Sequence, residues 1–132
     1  MDALLVEAIT ENIDEVIDYV FACLGDCPPR LQNQIGVAVD EIFANICMYA
    51  YNPDVGKVVI RIDIDENITI EFEDGGVAYD PLTATKNPDT TAAIEDREIG
   101  GLGVHIVKNI MDSVEYRHVD NKNILTIKKK ME

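Results

Sequence analysis

Glu41 and Asn45 stand four residues apart in the stretch DEIFANI, a separation that puts a carboxylate and a carboxamide on the same side of a helix. At the margin of a core, such a pair suits a pocket wall, where one oxygen can bind a cation and the other group can orient a water or hydroxyl. Two boundary residues of an ordinary amphipathic helix look the same. In EDGGVAYDP, Asp74 leaves an apolar strand and is followed by Gly75 and Gly76. A carboxylate buried there can accept a hydrogen bond from an amino group on a flat heterocycle, with the glycines leaving room for the ring. An Asp-Gly turn without a ligand has the same composition.

The third stretch is REIGGLGVHIVKNIMD. Gly100, Gly101, Leu102 and Gly103 directly precede a helix-like run. The first turn of a helix offers unpaired N–H groups to whatever stands in front of it, which suits a phosphate. The stretch matches neither GxxxxGK[ST] nor the glycine turn after the first strand of a βαβ unit. A glycine-rich joint without ligand stays open as a reading. Arg97, just before the run, is either a solvated loop charge or a phosphate-side guanidinium.

The elements that must position these groups follow from periodicity. The opening MDALLVEAI reads as a short edge strand. Ile13, Val16, Ile17, Val20, Phe21 and Leu24 then recur at helical spacing, closed by Gly25 and Pro28. Ile35, Ala38, Val39, Ile42, Ile46 and Tyr49 repeat the pattern over a longer helix that ends before NPDVG. From Lys57 the period becomes two: Val58, Ile60, Ile62 and Ile64 point one way, and Ile68, Ile70 and Phe72 do so after a hairpin turn at DEN. Residues 82–99 have weak periodicity, with Pro88 and many charges, and read as a long surface loop. A third helix, GVHIVKNIMD, follows, and the chain closes with a second hairpin, SVEYRHV and ILTIKKK about a DNKN turn. This order predicts an α+β, two-layer sandwich: a mostly antiparallel sheet covered on one face by three helices, within a single domain over 1–132.

Bulk properties narrow the class of partner. The chain has 132 residues, long enough to bury a core without disulfides. Its 25 acidic and 11 basic residues give a net charge of -14, which argues against nucleic acid or an anionic membrane surface as partner. Cys23, Cys27 and Cys47 form an odd set with neither His105 nor His118 nearby in sequence, so they read as free thiols of a reducing compartment. No signal-like segment or membrane-spanning apolar run appears, and a cytoplasmic location is expected.

In order and spacing, DEIFANI, EDGG and GGLGVHIVKNIMD resemble the ATP-binding fold shared by DNA gyrase, the heat-shock chaperone ATPase, histidine kinases and mismatch-repair ATPases. The stretches NICMYAY, GGVAYDPL and GGLGVHIVKNIMDSVEY look most like the anti-sigma factor serine kinases, with the likeness running from about Ala8 to Lys128. The resemblance implies ATP or ADP with Mg²⁺ as ligands, Glu41 as general base and Asn45 as the magnesium ligand. It implies that Asp74 is the partner of the adenine amino group and that Gly76 admits the ring. Gly101, Leu102 and Gly103 would line the triphosphate beneath a lid at about 82–100 that ends at Gly100, with Arg97 or Lys108 supplying compensating charge. Thr126, in the last strand, matches a threonine near the adenine; alone it needs no explanation beyond strand propensity. The chain departs from the family pattern at Ala78, where a glycine or proline often stands, and at Tyr49, where a histidine is usual. The implied function is serine kinase activity toward an anti-sigma antagonist, with sigma-factor binding and a homodimer. A nucleotide-responsive binding module without efficient phosphoryl transfer is the alternative.

Overall fold

The computed structural model describes residues 3–49, 56–76 and 105–131, with residue 49 described in its backbone only. The elements are β1 (Ala3–Glu7), a 3-10 turn (Thr10–Asn12), α1 (Ile13–Leu24), α2 (Pro29–Tyr49), β2 (Lys57–Ile64) and β3 (Asn67–Asp74). They are followed by a helix, α3, whose described part is 105–110, and by β4 (Ser113–Val119) and β5 (Lys122–Lys130). The five strands form one sheet in the order β1-β2-β3-β5-β4, every neighbouring pair antiparallel. The expected two-layer arrangement, with helices on one face, is the observed one.

The period-two pattern explains how the sheet sorts its side chains. Val58, Ile60 and Ile62 of β2, Ile68, Ile70 and Phe72 of β3, and Leu125 and Ile127 of β5 are buried on one face. Against them pack Val16, Val20 and Leu24 of α1, a longer stripe of α2, and Val107 and Met111 at α3. The α2 stripe is wider than its spacing suggested. It includes Leu31 and the fully buried Phe43 as well as Ile35, Ala38, Val39, Ile42 and Ile46, because α2 touches both the sheet and α1. Gly36 marks where α1 and α2 come close: a Cβ there would stand 3.1 Å from the Phe21 ring. Ile64, expected with the inward set, is 37 % exposed at the hairpin end of β2.

Short polar devices fix the joints. Gly25 ends α1 with a positive φ of 58°, and its N–H donates to the Phe21 carbonyl. The Gln32 amide then donates to the carbonyls of Gly25 and Cys27, 3.0 Å each, tying the α1–α2 connection to the first turn of α2. The second hairpin is tighter than the DNKN turn suggested. Asp120 and Asn121 alone make the loop, both with positive φ, the two-residue geometry whose twist matches the flanking strands. At the end of α3, the Lys129 ammonium donates to the Ile110 carbonyl at 2.6 Å, and the Asp112 carboxylate accepts from the Lys130 N–H.

The other face of the sheet is polar. Arg61 donates to Glu71 and Glu73 at 3.0 and 2.9 Å, and Lys122 and Arg117 add looser pairs to the same carboxylates. The Arg61 hydrogen bond holds the Glu73 carboxyl below its ordinary range. With side chains 17–57 % exposed, such surface pairs stabilise the fold little.

The core makes a direct prediction. Ile70→Ala, at a fully buried position, should destabilise the chain by about 2–5 kcal/mol in urea denaturation. Leu5→Ala on the outer face, 58 % exposed, should change stability by less than about 0.5 kcal/mol.

Candidate functional site

Asp74 is the last residue of β3 and continues the inward series Ile68, Ile70, Phe72. The strand's alternation therefore carries its carboxylate onto the helix side of the sheet, where it is only 5 % exposed. Two donors meet it there. The Gly76 backbone N–H reaches Oδ1 at 3.0 Å, and the Asn123 side-chain amide reaches the same oxygen at 2.9 Å. Asn123 is Asp74's register partner across the β3–β5 ladder and is itself buried. Its carbonyl oxygen accepts from the Tyr116 hydroxyl of β4. The chain Tyr116–Asn123–Asp74–Gly76 thus ends on one oxygen of a buried carboxylate. Among the described residues Oδ2 accepts no hydrogen bond. Burial raises the Asp74 carboxyl above the ordinary 3.8 of an aspartate, and the Glu73 charge adds to the rise; the bonds from Asn123 and Gly76 and the charge of His118 oppose it.

Glu41 and Asn45 lie one turn apart on α2, both half-buried, beside the buried Ala38 and Ile42. The margin position expected from their spacing is the one observed. Desolvation raises the Glu41 carboxyl above its usual range, with the neighbouring Asp40 charge acting the same way. A carboxylate with raised proton affinity and partial access to solvent suits a proton acceptor.

Thr126 is a correction. In β5 the inward residues are Asn123, Leu125 and Ile127, so Thr126 points to the opposite face, paired in register with Glu71 and Glu115. It shares no face with Asp74, and the β5 residue at the carboxylate is Asn123. Ala78, Arg97, Gly100, Gly101, Leu102 and Gly103 lie outside the described residues, as does the segment expected as a lid. The side chain of Tyr49 is likewise outside them. Asn123 and Tyr116 are the residues that sequence reasoning missed. The available signal was the strand period itself, counted outward from the inward-facing Leu125 and Ile127.

The cysteines take no part in this site. All three are free thiols; burial pushes Cys47 up to about 11 and raises Cys27, which keeps both protonated at neutral pH.

Residues 6–129 match the histidine kinase-like ATPase domain. The chain belongs to that family. Among its relatives are the serine-protein kinase RsbW of Bacillus cereus (strain AH820) and that of Bacillus anthracis. Each is 30% identical over 96 residues, which cover 70% of this chain and 60% of the relative's length. Two solved histidine kinases share the fold. The Acinetobacter baumannii kinase AdeS superposes with a TM-score of 0.53 at 16% identity, covering all of this chain and 68% of that one. The catalytic domain of ThkA gives 0.53 at 12%, covering 99% and 97%. No helix among the described residues is long and apolar enough to cross a membrane.

Within this histidine kinase-like ATPase domain the buried carboxylate has a measurable signature. Because the folded protein holds the Asp74 proton more tightly than the unfolded chain, acidification through that raised value stabilises the parent, and the benefit is complete below about 3.8. Asp74→Asn removes the buried charge and should therefore melt at an equal or higher temperature than the parent at pH 7. That advantage should shrink toward pH 4.5 in thermal unfolding followed by circular dichroism.

Proposed function

We propose that this chain binds ATP or ADP through Asp74 and transfers the γ-phosphoryl group to a serine of a partner protein. The observation that carries the reading is Oδ2 of Asp74: an oxygen of a buried carboxylate with no hydrogen bond among the described residues, in a family of ATPase domains. The 6-amino group of adenine is a donor of the kind this oxygen lacks. In this reading Gly76, which places no side chain beside the carboxylate, admits the ring, and the glycine run Gly100, Gly101, Leu102, Gly103 receives the phosphates with Arg97 nearby.

Magnesium fits the donor set. Among the described residues no three His, Cys, Asp or Glu side chains gather as a self-sufficient metal cage. Magnesium in nucleotide enzymes needs only one or two protein oxygens besides phosphates and waters, and the Asn45 carbonyl oxygen on α2 is such a donor. When bound, the ion would neutralise charge on the phosphate oxygens. Glu41, one turn earlier, would accept the proton of the attacking serine hydroxyl; its raised proton affinity suits that task.

The protein substrate in this reading is an anti-sigma antagonist, the chain also binds a sigma factor, and it acts as a homodimer in the cytoplasm. The grounds are the resemblance of the three motifs to anti-sigma factor serine kinases and the similarity to proteins named serine-protein kinase. A nucleotide-responsive binding module is the second reading, motivated by Tyr49 in place of the usual histidine.

Calorimetric titration with ATP and ADP, with and without Mg²⁺, tests the first step, and mass spectrometry of co-purifying proteins for phosphoserine tests the second. Asn45→Ala should lose most of the Mg²⁺-dependent part of nucleotide binding. Glu41→Ala should keep ATP affinity within about threefold while phosphoryl transfer falls about 10²–10⁴-fold. Transfer at the parent's rate by Glu41→Ala would remove Glu41 as the base, and Mg²⁺-independent binding would remove the metal from the reading. Nucleotide binding without phosphate on any partner would leave the binding module.

A further inference from the structure

Hydrogen bonds around Asp74 divide its carboxylate unequally. Among the described residues both donors, the Gly76 N–H and the Asn123 amide, fall on Oδ1. Asn123 is held in turn, its own carbonyl oxygen accepting from the Tyr116 hydroxyl of the neighbouring strand. The three side chains come from three adjacent strands, β3, β5 and β4, so the arrangement is held by the sheet ladder rather than by a loop. Resting on the purine reading above, we propose that Asn123 and Tyr116 are positioning residues for base recognition: they pin Oδ1 so that Oδ2 is the acceptor offered to the base, selecting a 6-amino over a 6-oxo purine.

The chemistry is one of donor against acceptor. An ionised carboxylate only accepts, so it favours the 6-amino group of adenine and repels the 6-oxo oxygen of hypoxanthine. A protonated carboxyl can donate to that oxygen and loses the distinction. Among the described residues the charged groups acting on Asp74 are Glu73 on its own strand and His118 on β4, and they work in opposite senses. The neutral donors, Asn123 and the Gly76 N–H, therefore help keep the carboxylate in its accepting form. Replacing Asn123 by an apolar residue of similar size removes one donor from a buried anion, and the anion responds by turning or by taking up a proton.

The test uses MgATP and the magnesium salt of inosine triphosphate, titrated calorimetrically at pH 7 into the parent, Asn123→Leu and Tyr116→Phe. The parent should bind ATP at least about tenfold more tightly than inosine triphosphate. In Asn123→Leu the ATP/inosine triphosphate affinity ratio should fall at least about fivefold, mainly through lost ATP affinity. In Tyr116→Phe, which removes a single oxygen and keeps the ring, it should fall about two- to threefold. If Asn123→Leu fails to fold, Tyr116→Phe carries the test alone. A ratio unchanged in the folded variants, including an equal loss for both nucleotides, would mean that the two residues only support the fold and would overturn the proposal. A parent that binds neither nucleotide, or binds both equally, would instead remove the purine reading of Asp74 on which the proposal rests.

Discussion

A carboxylate placed inside a protein is unfavourable unless something compensates it, and the fold around Asp74 is arranged to do so only in part. An unpaired ionised group in an apolar interior would take up a proton or destabilise the fold by several kcal/mol. Asp74 escapes the extreme because it sits where β3 ends. The backbone turns at Gly75 and Gly76 and offers an N–H, and the neighbouring strand offers the Asn123 amide. Among the described residues, compensation stops at one oxygen. The inward face of β3 runs Ile68, Ile70, Phe72, Asp74, so three apolar side chains that anchor the strand in the core lead to a polar one that does not belong there. The strand would be better packed with a fourth apolar residue, which makes a recognition role a more economical account of Asp74 than a structural one.

Much of this was legible in the residues. Period-two runs such as KVVIRIDI and NITIEFED carry one inward face each, and the hairpin order follows from turns too short for anything but antiparallel pairing. The α1 and α2 stripes, and the margin position of Glu41 and Asn45, follow from counting at about 100° per residue. What counting along one segment cannot supply is register between segments. Thr126 and Asn123 differ by three positions in one strand, which in a structure of period two is a change of face. Only the pairing of Asp74 with Asn123, and of His118 with Asn123 beyond it, decides which of them meets the carboxylate. Phe43 was missed in the α2 stripe for a related reason: its burial depends on α1 lying against that side of α2, which no periodicity within α2 announces.

The charge distribution bears on what an acidic chain can hold. ATP brings about four more negative charges to a protein of net charge -14. At physiological ionic strength, exposed charges beyond about 8 Å are largely screened, so the balance within the site matters more than the total. Among the described residues several cations are engaged elsewhere. Arg61, Arg117 and Lys122 pair with Glu71 and Glu73 on the outer face, which the sheet separates from Asp74, and Lys129 is bonded at the end of α3. The first three neutralise the chain's own carboxylates. A triphosphate on the helix side would then depend on partial charges and counter-ions: backbone N–H groups at a helix start, a divalent ion on an amide oxygen, and a side-chain cation such as Arg97 or Lys108. Such a site would hold the phosphates through geometry and a metal rather than through a lysine-rich surface. In the proposed reading, one face of the sheet stays acidic and ion-paired while the other would offer the base the Asp74 oxygen that accepts no hydrogen bond among the described residues.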